Sequence, residues 1–538
     1  MLLQTLQNLK IPEKKDAVFT YPAYSSWAKL IKQNKTQQRK KNEQSSFGTG
    51  GNVANTAKQT KELILSAKNY THKIGLNKNN EGKSEDIIVT GHQATWHHCG
   101  ILAKNCIVSE LSKKLNGCAI HLIMDHDISD TAMTVPELKD EKSWSFKKIE
   151  IEIQQNVPLE FRAVPPKEQI QNFIKSISKS TQAACCKDLW SDFSRKKQGK
   201  ISSFRHIGEL ITYLQANLNS ALGIEMLYLP VSEMAQSRCF INFCKSIMEN
   251  APTFAHTYNN AIWKKTANSK TKRPDNIHIL KENNGRRELP FWLVSTKGRR
   301  SSLYVKSNNK NNIQFGIDKK SLGRLDAQQA GQKENQLIQL LKKYGYRLRP
   351  KAVTLTLFTR LFLADWFIHG IGGAKYEDIT NYVLEKYYKI KNLQFAVATT
   401  TMNLPLEGGD KMLKDNPAEL KQILRELQYN PERFIKNNSL NNEQVISLIQ
   451  KKEKLIELAK NNDSSTEDKK KAWAGISKVN DNLRKFTEEA MSNIKKRIIL
   501  SQSQKLTIQV LNYRKFFFGL FPRKSLENVF GINDGTKD

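Results

Sequence analysis

The sequence has no apolar run of the ~18 residues that a bilayer crossing needs. Its first residues, Met1-Leu2-Leu3-Gln4-Thr5, lack a charged segment followed by an apolar one, so no signal peptide is expected and a cytoplasmic location is. Glycine (26) and proline (15) are scarce among 538 residues, which excludes collagen-like and Pro/Gly-rich disordered chains. Cysteines number seven, an odd count, and none forms a CxxC pair. A disulfide framework is therefore not expected, and the adjacent Cys185 and Cys186 cannot form an ordinary bridge with each other. Arginine is thin as well, at 20 of the 86 basic residues. Guanidinium is the preferred group for bidentate phosphate and base recognition. The formal charge of +34 therefore reads as a lysine-covered surface, with nucleic-acid binding the disfavoured alternative.

What is present is an α/β pattern. Asp86-Ile87-Ile88-Val89-Thr90 is a short β-branched run ending at Gly91, which predicts a buried strand and a turn. Residues 100–115 carry apolar positions at helical spacing, and Cys118–Met124 reads as a second strand. A strand–turn–helix–strand unit of this kind predicts parallel strands with a right-handed crossover, and ligands in such sheets sit beyond the carboxyl ends of the strands. Further on, the sequence predicts strands at Lys148–Ile153 and Ile224–Pro230, and helices near 166–179, 204–220 and 232–249. It predicts an inserted β-rich piece over 276–316, a long apolar helix over Lys351–Phe367 and a strand over Phe395–Thr400.

The flanking regions differ in character. Residues 1–80 hold short apolar pieces, a polar stretch from Gln33 to Gly51 that reads as a flexible loop, and a helix over Lys61–Asn69. After Pro405 aromatics thin out, and Val445, Leu448, Ile449, Leu455, Ile456 and Ala459 recur at helical spacing. The break at Asn461–Thr466 predicts an antiparallel helical hairpin, read as a coiled coil. The tail Phe516-Phe517-Phe518-Gly519-Leu520-Phe521 is too aromatic to be left in water and is expected to pack on the body or on a partner. The expected organisation is an N-terminal extension (1–80), a core (81–410) with inserted segments over about 140–330, a helical arm (411–500) and a packing C-terminal segment (501–538).

Three segments could carry chemistry. Gly91-His92-Gln93-Ala94-Thr95-Trp96-His97-His98-Cys99-Gly100 concentrates three of the ten histidines at a strand-to-helix turn. Backbone N–H groups there suit an anion, and neutral imidazoles serve as acid, base or metal ligand. A His-rich surface loop is the bland reading, and Cys99 as a nucleophile is disfavoured. Asp125-His126-Asp127 at the next strand end can hold a divalent cation or a substrate ammonium, against the bland reading of helix capping. His369-Gly370-Ile371-Gly372-Gly373-Ala374-Lys375 offers glycines at a helix start and a lysine charge, although the GK[ST] ending of a P-loop is missing. His92, His98, His121, Asp125, Asp127 and His369 are metal-ligating types near predicted strand ends, with His121, Asp125 and Asp127 the leading metal candidates.

These segments, in this order and followed by a helical region, resemble the bacillithiol biosynthesis cysteine-adding enzymes. Thr90-Gly91-His92-Gln93-Ala94 stands where that family has a Gly-Gln-Gln-Ala-Gly-Leu turn. Met124-Asp125-His126-Asp127 matches the last three residues of its Glu-Asp-His-Asp segment. Gly370–Tyr376 is a looser match to its Gly-Gly-Pro-Gly-Glu-Ile-x-Tyr stretch. The departures are His92 for the first Gln, Thr95-Trp96 for Gly-Leu, Met124 for Glu and the missing Pro-Gly-Glu. The resemblance implies a Rossmann-like core of the nucleotidyl-transferase type and a coiled-coil arm that forms a homodimer. It implies ligation of the carboxyl of cysteine to the amine of an amino-sugar conjugate; amide formation needs an activated carboxylate, so ATP or ADP is the expected nucleotide. On this reading His92, His98, Asp125 and Asp127 are catalytic, and Gly91, Gln93, Gly370, Gly372, Gly373 and Lys375 hold the nucleotide. A catalytically inactive relative is the remaining alternative.

Overall fold

The uncharged run Ile87-Ile88-Val89-Thr90 lies in the middle of a sheet with all four side chains buried, as its lack of polar alternation predicts. The computed structural model describes residues 9–44, 53–76, 86–140, 143–152, 155–183, 204–267, 277–309, 312–318, 320–325, 332–406, 417–435, 442–461, 464–503 and 505–531. Its strands in chain order are β1 (Val18–Tyr21), β2 (Ile87–Gln93), β3 (Cys118–Met124), β4 (Met133–Asp140), β5 (Ser143–Ile149), β6 (Leu227–Pro230) and β7 (Glu282–Asn283). There follow β8 (Arg286–Ser295), β9 (Arg300–Asn309), β10 (Asn312–Ile317), β11 (Lys320–Leu325), β12 (Tyr346–Pro350), β13 (Trp366–His369) and β14 (Ala396–Thr400).

The chain is mixed α/β and divides into two units. The first comprises residues 1–135, 147–404 and 514–538, and the second residues 136–146 and 405–513. In the first unit the order β1-β14-β13-β2-β3-β6 makes one sheet. Strands β14, β13, β2, β3 and β6 run parallel, and β1 pairs antiparallel on the edge. Helix Cys99–Leu115 links β2 to β3, the crossover that the sequence predicts. A second, antiparallel sheet, β11-β10-β9-β8-β12, is the inserted β-rich piece. Both sheets contribute to one apolar core, in which Val89 and Ile120 of the first join Phe291 of the second and Phe240, Phe243 and Phe358 from helices. Fully burying each such side chain contributes about 1.5–3 kcal/mol.

Several local expectations are corrected. Strand β2 does not end at Thr90: Gly91, His92 and Gln93 pair with Leu122, Ile123 and Met124 of β3. Gly91 makes this possible, because a Cβ there would meet the Leu122 carbonyl oxygen at 2.8 Å. The backbone of Gly91–Gln93 is therefore spent on the sheet, and the turn lies over Ala94–His98. The stretch after Gln33 continues the helix Trp27–Gln44, and the rest of the predicted loop lies outside the described residues, as do Cys185 and Cys186. The strand predicted at Lys148–Ile153 is Ser143–Ile149. The helix predicted over 232–249 breaks into Val231–Met234 and Arg238–Glu249. The apolar helix from Lys351 stops early: Ala352–Phe358 passes into a π-turn, Thr359–Leu363, and Trp366–Phe367 belong to β13. A run that is apolar on every side is legible as buried but not as helix or strand.

In the second unit, helices Glu443–Lys460 and Thr466–Arg484 pack through Val445, Val479 and Leu483, with Ala459, Ala472 and Ile476 nearer the turn. Asn442 and Ser465 cap them, their side chains accepting from the amides of Gln444 and Asp468. The aromatic tail is buried in the first unit, where Phe516, Phe518 and Leu520 are fully enclosed.

Candidate functional site

The carboxyl end of β2 is held from below by Lys104. Helix Cys99–Leu115 folds back along β2, and the Lys104 ammonium donates to the Gly91 carbonyl at 2.8 Å, fully buried. Burial lowers the Lys104 pKa to about 7. Above it the histidine rings touch in a chain, edge to face between His92 and His97 and tilted between His97 and His121. The His92 and His97 rings are 5.1 Å apart, and those of His97 and His121 are 5.4 Å apart. His97 Nε2 donates to the Gln93 carbonyl at 3.1 Å, and its backbone amide donates to Gln215 Oε1 at 2.8 Å. His121 Nδ1 lies 3.0 Å from Asn105 Oδ1. His92, His97, His121, Gln215, Asn219 and Tyr228 bound a small void with space for about one water molecule.

Burial, reinforced by Lys104 and by one another, holds these imidazoles neutral. His92 and His121 are pushed well below the usual imidazole range, and His97 to about 3. His98 stands apart from the chain. Its Nδ1 accepts from the Gly100 amide at 3.0 Å and caps the helix, while burial and Arg514 bring its pKa to about 3. Arg514 is fixed by the Thr400 carbonyl at 2.7 Å, and the Phe518 amide donates to the His97 carbonyl at 2.8 Å, so the aromatic tail closes this side. Cys99 is buried and its thiol is pushed up by that burial, which removes it as a nucleophile.

The Asp125-His126-Asp127 turn splits into two roles. Asp125 is buried and accepts from both the amide and the hydroxyl of Ser232. Burial and the neighbouring Glu160 raise it to about 7, against the opposing pull of Ser232 and Arg349. Glu160 itself makes a two-pronged pair with the buried Arg349 at 2.8 and 2.7 Å. Asp127, by contrast, keeps 37% of its side chain exposed. It accepts from Gln93 Nε2 at 3.3 Å and from Arg300 Nη1 at 3.1 Å. The Arg300 guanidinium and the Lys351 ammonium lie over the Trp292 ring, at 5.1 and 4.1 Å from its centre. The inserted sheet thus completes the wall beside Asp127.

The third segment leaves β13, whose Ile368 pairs with Thr90 of β2, so that Gly370 emerges alongside the end of β2. A Cβ added at Gly370 or Gly372 would meet nothing within 4 Å, and Lys375 is exposed. At Gly373 a Cβ would collide with His369 Nδ1. His369 Nε2 lies 2.7 Å from Glu377 Oε1, and the other Glu377 oxygen pairs with Arg360. Glu377 is fully buried, and burial alone would raise it, but His369 and Arg360 hold it below the usual carboxylate range.

The structure therefore brings Gln93 and Asp127 into direct contact and sets the rings of His92, His97 and His121 in a row. Gly370 and Gly372 stand open at the neighbouring strand end. It takes His98 and Asp125 into structural hydrogen bonds. No three His, Cys, Asp or Glu side chains converge as metal ligands among the described residues, His121, Asp125 and Asp127 included. Sequence reasoning missed Lys104, Arg300, Glu377 and Arg360. A lysine with apolar neighbours on one face of a helix was a usable signal for Lys104. The other three depend on contacts across 173 and 17 positions, from Asp127 to Arg300 and from Arg360 to Glu377. No known protein-family model matches the chain, and a search of curated proteins finds none similar.

Proposed function

We propose that the chain is a cytoplasmic enzyme acting on small molecules at the carboxyl ends of β2, β3 and β13, on a Rossmann-like core. Strand β2 leads through its helix to β3 on one side, while β13 lies on its other side and leads outward to β14. Parallel sheets bind ligands at such a point of divergence. The observation that carries the reading is the open backbone of Gly370 and Gly372 at that point, beside the half-exposed Gln93–Asp127–Arg300 group.

The reaction proposed is carbon–nitrogen ligation of the cysteine-adding type, joining the carboxyl of an amino acid to the amine of an amino-sugar conjugate. Gly370 and Gly372, whose faces are free of side chains, with Gly373 and the Lys375 charge, would hold the phosphates of ATP or ADP. Asp127 and Arg300 would receive the ammonium and carboxylate of the amino acid, and Gln93 and His92 would line its approach. His98 and Asp125 keep the framework in place. The helices of the second unit would pair with a second copy as a coiled coil.

Thermal-shift and calorimetric titrations with ATP, ADP, cysteine and Mg²⁺ test the site. At least one of the two nucleotides should bind. Gly372→Val should abolish this while leaving the melting temperature unchanged, since its side chain grows into open space. Loss of the cysteine response in His92→Ala would place the amino acid beside it. A chain that responds to none of the four ligands would refute the proposal.

A further inference from the structure

We propose that His369 is the proton-accepting base of this site, oriented by Glu377 and presenting Nδ1 through the gap that Gly373 leaves. The inference rests on the reading above for the identity of the nucleophile, but its geometry stands independently. Among the described residues, His92, His97, His98 and His121 have no carboxylate partner: the charged groups that act on them are other imidazoles, Lys104, Arg514 and Lys515. His369 is built differently. Its Nε2 lies 2.7 Å from a carboxylate that is itself buried and anchored by Arg360. A carboxylate oxygen this close to Nε2 favours the tautomer with the proton on that nitrogen and the lone pair on Nδ1. The ring is held on its other sides by Phe367, Tyr376 and Phe395, with centres 4.4, 6.1 and 5.7 Å away.

Residue 373 decides whether Nδ1 can be used. Any side chain there would collide with that nitrogen. Glycine lets the His369 ring lie with Nδ1 against the backbone of the same loop in which a Cβ at Gly370 or Gly372 would meet nothing within 4 Å. A base turned by an acid toward an open loop is the arrangement by which general bases are aimed. In the ligation, the amine nitrogen forms its bond to the activated acyl carbon. The leaving group departs with its electron pair, and the proton released from nitrogen goes to Nδ1. The resulting imidazolium faces the Glu377 carboxylate. Glu377 is the positioning residue and Arg360 its anchor.

The test needs no substrate. The full-length protein is treated with diethyl pyrocarbonate, which acylates unprotonated imidazole nitrogen, and the rate at each histidine is read by peptide mass spectrometry. His369 should be labelled in the folded protein, while His97 and His121 stay unmodified. Gly373→Ala should lower the His369 rate at least tenfold by covering Nδ1. Glu377→Gln, which keeps the shape but removes the charge, should lower it roughly tenfold, the effect of losing the carboxylate that faces Nε2. Unlabelled His369 in the wild type, or a rate unchanged in both variants, would overturn the inference. In the ligation assay His369→Gln should cut kcat while sparing KM. Ligation that survives His369→Gln refutes the base and leaves the function intact. Labelling of His369 in a protein that ligates nothing supports the base and removes the function.

Discussion

Replacing Lys104 by methionine should stabilise the protein, and by an amount that depends on pH in a prescribed direction. The ammonium is fully buried, with the Gly91 carbonyl as its hydrogen-bond partner. Burial moves its pKa from 10.5 to about 7. At 1.36 kcal/mol per unit, holding the charged form inside costs on the order of 4–5 kcal/mol. The folded value is the depressed one, so between pH 7 and 10.5 the unfolded chain binds more protons than the native one. Wild-type stability therefore rises with pH across that window, and the full cost is carried below it. Methionine has similar length and no charge. It removes the cost and forfeits one hydrogen bond worth about 1 kcal/mol. The variant should gain roughly 3 kcal/mol over wild type near pH 6, shrinking to about zero by pH 10. Urea unfolding of both proteins at several pH values, followed by hydrogen-exchange protection of β2 and helix Cys99–Leu115, measures the difference. An advantage that stays constant with pH, or a loss at every pH, would refute the burial argument.

Two further outcomes follow from the same residues. Asp125→Asn should flatten another pH dependence. Asp125 is raised from 3.8 to about 7, so the native state holds a proton there that the unfolded state releases, and wild-type stability falls as pH rises through that window. Melting temperatures recorded from pH 4 to pH 8 should show the fall in wild type and its reduction in the variant. His98→Ala should cost about 1 kcal/mol through loss of the helix cap, whereas His98→Asn, which also offers an acceptor to the Gly100 amide, should cost less. Equal losses in the two variants, measured by urea midpoint, would show that His98 acts through packing alone.

Much of the first unit is legible from local pattern. The runs Ile87–Thr90 and Cys118–Met124 are buried strands because five parallel strands with helices between them leave little polar surface for such segments to face. The aromatic tail is buried because six consecutive residues with four phenylalanines cannot be solvated cheaply. Asp127, Gln93 and the open glycines were also visible, since each sits where a strand ends and chain direction changes. Less legible was where β2 stops. One missing Cβ at Gly91 extends the pairing by three residues and removes the turn that the sequence places there.

The sequence by itself determined which segments are apolar and which ionisable residues cluster along the chain, because these depend on neighbours within a few positions. Only the tertiary structure decided what each ionisable group does. His92, His97 and His98 are close in sequence, yet one lines a void, one bonds to a carbonyl across the turn and one caps a helix. His369 stands in a different segment and alone of these has a carboxylate at hydrogen-bonding distance. Charge and desolvation act through space and at short range, so the role of an imidazole follows from what the fold sets within a few ångströms of it.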